Sequence, residues 1–307
     1  MISATTLLAI VGGAYVFSVF RTQEVKILDD DAQKKIGGFF VQLSEGKVYY
    51  QLQGSDTART VVLIHGAGSG SYAWDKNFDY LVKQGFRVLR YDLYGRGFSD
   101  RPDVVYDSTL FYQQLAEIID KLQLKPPYNF VSVSMGASIA LHFVQKNKSL
   151  VSHLVLVDPA SLSDGNLPWH KKVPFLSAWL MSLYWYPRAV EKQMSEFYNP
   201  ASVPEYRPKS WEHLQYQGLK RAMLSTWQHL LTLDMTIAMN EIGKSKVKVL
   251  LVWGKYDPLV PPKASEHYLK AMPQSNLVVI DSAGHLSNYE KPIVFNPLVS
   301  NFLKNDQ

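Results

Sequence analysis

Short apolar runs rich in branched residues recur along the middle and end of the chain, each closed by a polar or glycine-bearing turn. They are Val61-Val62-Leu63-Ile64, Phe130-Val131-Ser132-Val133, Leu154-Val155-Leu156-Val157, Val249-Leu250-Leu251-Val252-Trp253 and Leu277-Val278-Val279-Ile280. Continuous rather than alternating hydrophobicity predicts strands covered on both faces, the habit of a parallel sheet. Stretches with helical spacing lie between them, and residues 137–145 predict a helix packed on the strand just before. The alternation spans residues 39–160 and returns from Val247 to the end. That predicts an α/β fold with a mostly parallel central sheet flanked by helices. Residues 161–242 break the rhythm. They hold five of the seven tryptophans (Trp169, Trp179, Trp185, Trp211, Trp227) and five of the eight methionines, at helical spacing, which predicts a helical insertion between the sixth and seventh sheet strands. Ahead of the sheet, residues 2–20 are apolar without a charge and end at Arg21. Residues 22–38 are polar, carry Asp29-Asp30-Asp31 and Gly37-Gly38, and predict a linker. The organisation expected is 1–21 anchor, 22–38 linker, 39–160 first part of the core, 161–242 insertion and 243–307 second part of the core. No internal repeat or low-complexity tract interrupts it.

Composition narrows the classes of function. A chain of 307 residues with 47% hydrophobic content can bury one large core or two smaller ones. The net charge of +5 is scattered along the chain, so no nucleic-acid partner is expected, although the charge is compatible with an anionic membrane surface. The absence of cysteine removes disulfides, thiol catalysis and cysteine-ligated metals. The eight histidines show no metal-like spacing with carboxylates. His65-Gly66-Ala67-Gly68-Ser69-Gly70 is glycine-rich, yet it lacks the third glycine spacing and the acidic partner of a dinucleotide site. Neither metal nor organic cofactor is expected.

The candidate chemistry sits after the strands. Ser132-Val133-Ser134-Met135-Gly136 places Ser134 at the turn from strand to helix, the setting of a nucleophile elbow, with Ser132 standing where the usual pattern has its first glycine. The loop His65-Gly66-Ala67-Gly68 follows an early strand, where such sites take one oxyanion donor. The other donor is the residue after the nucleophile, so Ala67 and Met135 are the expected pair. Asp257 ends Gly254-Lys255-Tyr256-Asp257 after one strand, and His285 ends Ser282-Ala283-Gly284-His285 after the next. The order Ser…Asp…His is that of an α/β-hydrolase triad. Asp158, also just past a strand, is the rival acid, and His65 is read as a residue that orients the oxyanion loop.

With these residues in order, the chain resembles the α/β-hydrolase superfamily, in particular its Ser-nucleophile members related to esterases and monoacylglycerol lipases. The likeness runs from about residue 41 to residue 303 and includes Tyr91-Asp92-Leu93-Tyr94-Gly95-Arg96-Gly97-Phe98-Ser99-Asp100, similar to the family's D-x-x-G-x-G-x-S segment, and Glu290-Lys291-Pro292 beyond His285. The resemblance implies an α/β-hydrolase fold whose insertion is a cap over the active site. It favours Asp257 over Asp158 and treats Asp92, Arg96 and Ser99 as loop scaffold. The activity expected is hydrolysis of a small-molecule carboxylic ester with an apolar part, a monoacylglycerol or similar lipid ester, through an acyl-enzyme. The alternatives are a hydrolase of carbon–carbon bonds in vinylogous diketones and a non-catalytic ligand-binding member. Ser134 argues against the Asp-nucleophile dehalogenases and epoxide hydrolases.

Residues 2–20, at a rise of about 1.5 Å each, would span close to the ~30 Å core of a bilayer. Nothing basic precedes them, and Val16-Phe17-Ser18-Val19-Phe20 is too bulky for a signal cleavage site. A single-pass membrane anchor is therefore expected. Arg21, Lys26, Lys34 and Lys35 lie on its C-terminal side, which places the catalytic domain in the cytoplasm.

Overall fold

The apolar runs become eight strands: β1 (Phe39–Leu43), β2 (Gly46–Gln53), β3 (Thr60–Ile64), β4 (Arg87–Tyr91), β5 (Tyr128–Val133), β6 (Val151–Val157), β7 (Lys248–Gly254) and β8 (Asn276–Ile280). This computed structural model describes residues 23–160 and 174–305, together with Ser3, Gly12 and Gly13. The sheet order is β1-β2-β4-β3-β5-β6-β7-β8. β2 pairs antiparallel with both β1 and β4, and every pairing from β4 across to β8 is parallel.

The central strands are continuously apolar because each face has its own core. Val62, Ile64 and Phe130 point into one cluster, shared with the helices Ser108–Lys121 and Gly136–Lys146. Val61, Leu63, Val131 and Val133 point into the other, with Phe78 and Leu81 of one helix and Phe295, Val299 and Leu303 of the last. Each such side chain, fully buried, contributes about 1.5–3 kcal/mol. The edge strands have only partial cover, and Phe39 on β1 and Val279 on β8 are exposed.

Between β6 and β7 the chain builds the helices Pro174–Leu180, Ala189–Met194, Tyr206–Leu214 and Leu219–His229. Met181, Tyr186, Ala189, Leu214, Leu219 and Met223 form a small core of their own, and the Trp185 and Trp227 rings meet edge to face at 5.2 Å. These aromatic and methionine side chains are therefore first of all packing. The helix Thr236–Gly243 behaves differently: its Ala238, Met239 and Ile242 join the main core against the sheet.

Residues 23–38 do more than link. Asp29 accepts a hydrogen bond from Ala32 N at 2.8 Å and starts a helix, Asp30–Ile36, whose first turn is acidic and last turn basic. The acidic triplet thus caps a helix and complements its dipole. Just before it, Lys26 pairs along the cap, donating from its N to Gln215 O at 2.8 Å and accepting from Gln217 N at 2.9 Å.

The expectation of a single-pass anchor with a cytoplasmic domain is corrected. Among the described residues no helix is long and apolar enough to cross a membrane. Of residues 2–20 only Ser3, Gly12 and Gly13 are described, so the segment expected as an anchor lies outside the described residues. Length and hydropathy alone do not separate a spanning segment from one that packs elsewhere.

Candidate active site

Ser134 follows β5 in the left-handed region, with φ +55°. A non-glycine residue there is strained by about 1–3 kcal/mol and is held only because its surroundings over-determine it. Its N donates to Val157 O at 2.9 Å, and its carbonyl accepts from Ala137 N at 3.0 Å and Ala160 N at 3.2 Å. Gly136 opens the following helix, where a Cβ would lie 2.6 Å from Ile64 O and 2.8 Å from His65 O. Only glycine fits so close to the neighbouring backbone. Ser132, at the place usually held by glycine, is buried and turns its hydroxyl to Val155 O at 3.3 Å, so the departure is accommodated.

The loop after β3 lies against this elbow. A Cβ on Gly66 would be 3.2 Å from Ser134 Cβ and 3.6 Å from its Oγ. Among the described residues, no bond joins the N–H of Ala67 or of Met135 to a protein acceptor. The loop's carbonyls, by contrast, are held. His65 Nδ1 meets Gly66 O at 2.8 Å while its Nε2 accepts from Leu93 N at 2.9 Å. Arg96 Nε donates to Ala67 O at 3.2 Å, and Gln193 Nε2 from the cap donates to Gly68 O at 2.7 Å. Burial drives the His65 imidazole down to about 3, with the Gly66 contact opposing and Arg96 reinforcing the fall. His65 is thus neutral and acts as a strut. Arg96 is fully buried, also reaching Tyr94 O and Thr226 Oγ1, and Asp92 accepts from the N–H groups of Ser71 and Phe98.

Asp257 and His285 come together from the loops after β7 and β8. His285 Nδ1 meets Asp257 Oδ2 at 2.8 Å, with both side chains buried. The other carboxylate oxygen of Asp257 accepts from Leu259 N at 2.8 Å and Val260 N at 2.9 Å, which fixes its plane. Asp158, the rival acid, makes no such pair. Its oxygens accept from Gly254 N at 2.6 Å, Ser287 Oγ at 2.8 Å and Ser287 N at 3.2 Å, so it ties the loops after β6, β7 and β8 to one another. Burial, with the Asp257 charge second, pushes the Asp158 carboxyl up to about 7, while His285 and its hydrogen bonds pull it down. For His285, burial works against protonation, but the hydrogen bond and charge of Asp257, then Glu196 and Asp158, outweigh it and raise the imidazole to about 9. Among the described residues no hydrogen bond joins the Ser134 hydroxyl to His285.

Two contributors, and the role of a third, escape a reading of the sequence. Gln193 is a buried polar residue on a cap helix, four positions after the buried Ala189, and that place on an apolar face is the one signal it leaves. Glu196 accepts from His285 N at 2.8 Å through its carbonyl. Glu290 sits in the Glu290-Lys291-Pro292 string; its carboxylate gathers Gly284 N at 2.9 Å, Tyr198 N at 3.0 Å and Asn199 N at 2.6 Å, joining the histidine loop to the cap.

The structure thus holds a serine at a left-handed elbow against the loop after β3, and a buried Asp257–His285 pair on the loops after β7 and β8. A family model for the alpha/beta hydrolase fold matches residues 59–292. The chain belongs to the α/β-hydrolase family and is a hydrolase. It is 30% identical over 284 residues, 86% of its own length and 96% of the relative's, to the 2-hydroxy-6-oxononadienedioate/2-hydroxy-6-oxononatrienedioate hydrolase 2 of Pseudomonas putida. Among solved structures it matches the enol-lactonase from Burkholderia xenovorans LB400 at a TM-score of 0.75, with 20% identity, 87% of this chain and 100% of that one covered. It also matches a meta-cleavage product hydrolase from Pseudomonas fluorescens IP01 at 0.68, with 20% identity, 87% of this chain and 97% of that one covered.

The expectation of a carboxylic ester or lipid ester as substrate is corrected by the relatives in sequence, which are named as dienedioate hydrolases. Attack by an activated serine on a carbonyl is common to both reactions, so the motifs do not report which bond leaves. Of the cap's tryptophans and methionines, Met181, Met223, Trp185 and Trp227 make its own core.

Proposed function

We propose that this protein hydrolyses a carbon–carbon bond in a vinylogous diketone acid of the 2-hydroxy-6-oxo-2,4-dienoate kind, with Ser134 as nucleophile, His285 as base and Asp257 as its orienting acid. The observation that carries the reading is the 30% identity, across 86% of the chain, to a hydrolase named for such a substrate. The 2.8 Å Asp257–His285 contact supports the assignment of base and acid.

The chemistry asks for what these residues can supply. Once the enol has ketonised, with its proton moved to C5, Ser134 Oγ attacks the C6 ketone and passes its proton to His285 Nε2. Asp257 holds the opposite tautomer and stabilises the imidazolium. The C6 oxyanion rests on the N–H groups of Ala67 and Met135, each worth on the order of 3 kcal/mol in such sites. Collapse breaks C5–C6. A carbanion is a poor leaving group, but here its electron pair delocalises onto the C2 carbonyl, and His285 returns a proton to give a 2-hydroxydienoate. Water activated by His285 then releases the acid from Ser134. The apolar cap cluster around Met181, Leu214 and Met223, against which Ala67 packs, offers a wall for the distal part of the substrate.

The test is a panel of 2-hydroxy-6-oxo-2,4-dienoates with alkyl, aryl and carboxylate distal groups, followed by loss of the dienolate absorbance and by mass spectrometry of both products. Equimolar acid and 2-hydroxydienoate, lost in Ser134→Ala, is the expected result. An unchanged panel, or equal turnover by Ser134→Ala, overturns the proposal.

A further inference from the structure

The loop that would hold the oxyanion is held by a residue of the cap. Gln193 is buried near the end of the helix Ala189–Met194, and its Nε2 donates to Gly68 O at 2.7 Å. A side-chain amide can point either way, but Ser210 Oγ bonds to Gln193 Oε1 and leaves the NH₂ group for Gly68. The next turn of chain is tied to the histidine loop. Glu196 O accepts from His285 N, and Glu290 binds Tyr198 N and Asn199 N on the cap together with Gly284 N beside His285. The contact is close as well as bonded: a Cβ on Gly284 would lie 2.2 Å from Glu196 O. One short cap segment, 193–199, therefore grips the loop carrying Ala67 at one end and the loop carrying His285 at the other.

We infer that Gln193 is a positioning residue for catalysis: braced by Ser210 and by the Glu290 staple, it fixes the oxyanion loop relative to the base. Segment 193–199 is then a fixed strap, and any opening of the cap takes place elsewhere along it. The inference rests on the proposed roles of Ser134 and Ala67. A misplacement of about 1 Å in a catalytic group costs roughly a hundredfold in rate. Released from its donor, the Gly68 carbonyl is expected to let the loop, with the Ala67 N–H two peptide units upstream, shift by up to about that distance.

The test uses Gln193→Met, which keeps length and bulk but cannot donate, and Ser210→Ala, which frees the amide to rotate. Two rates are measured: turnover of the dienoate, and phosphonylation of Ser134 by a fluorophosphonate, which needs the same oxyanion donors but no carbon–carbon cleavage. Gln193→Met is expected to lower kcat and the phosphonylation rate by about ten- to a hundredfold with KM within twofold and the melting temperature near wild type. Ser210→Ala is expected to fall between. Phosphonylation unchanged in Gln193→Met, a change confined to KM, or a wild type that does not label at Ser134 overturns the inference. A wild type that labels at Ser134 but leaves every dienoate intact refutes the proposed reaction, while the labelling rates still decide the role of Gln193.

Discussion

Replacing each of two buried carboxylates by its amide separates the orienting acid from the loop tie. In Asp257→Asn the amide must choose between two conflicts. With its oxygen toward His285 Nδ1–H, its NH₂ faces the N–H groups of Leu259 and Val260, now 2.8 and 2.9 Å from an acceptor. Two buried donors left unsatisfied cost about 1–3 kcal/mol each. With the amide turned to spare them, NH₂ faces His285, which must then carry its proton on Nε2, the atom that has to accept from Ser134. Either outcome removes the working tautomer or the loop that presents it, and a drop in kcat on the order of 10⁴ is expected. Asp158→Asn meets a milder conflict. Its carboxyl is already raised toward neutrality by burial and by Asp257. Asparagine also tolerates the left-handed backbone found there, φ +44°. One of the bonds to Gly254 and Ser287 weakens, so a stability loss of about 1–3 kcal/mol with kcat within tenfold is expected. Turnover of the dienoate and thermal unfolding, measured on both variants, decide the matter. Near-normal activity in Asp257→Asn together with a dead but folded Asp158→Asn refutes the assignment.

Other outcomes follow from single features of the site. Because the base works only when neutral, and Asp257 foremost among its carboxylate neighbours raises the imidazole to about 9, kcat/KM should climb with pH through the range from 6.5 to about 9; a limb at or below 6.5 contradicts this. Ser134→Gly should be inactive yet more stable by about 1 kcal/mol, ~2 °C in a chain this long, since glycine relieves the φ of +55°; calorimetry showing no gain removes the claim of stored strain. Gly136→Ala should destabilise by about 1–3 kcal/mol and slow Ser134 labelling, because its Cβ must displace the carbonyls of Ile64 and His65; a variant with wild-type stability and labelling shows that the strand and helix are not in tight contact.

The parts legible in the sequence were those with a local cause. Strands such as residues 60–64 and 128–133 announce themselves because burial on both faces demands unbroken apolar runs. The elbow at Ser134 is visible because the close approach there forces small residues, and the order of Ser134, Asp257 and His285 is a property of the chain itself. Contacts made across the fold were not legible. Gln193 reaching Gly68, 125 residues away, and Glu290 reaching Asn199 depend on how the cap seats, which no local pattern encodes. The acidic string at residues 29–31 looked like solvated linker because a helix of seven residues offers little periodicity. Substrate was the least legible of all. The same serine, oxyanion donors and base serve an ester and a ketone, and the difference lies in whether the leaving fragment can delocalise a pair of electrons.

The most direct test of the central claim is rapid chemical quench of wild-type protein with a 2-hydroxy-6-oxo-2,4-dienoate, followed by peptide mass analysis. The distal acyl group attached to Ser134 within the first turnover, with one equivalent of 2-hydroxydienoate released, is the result expected. Release of both products with the acyl group on another residue, or turnover that survives Ser134→Ala, contradicts it.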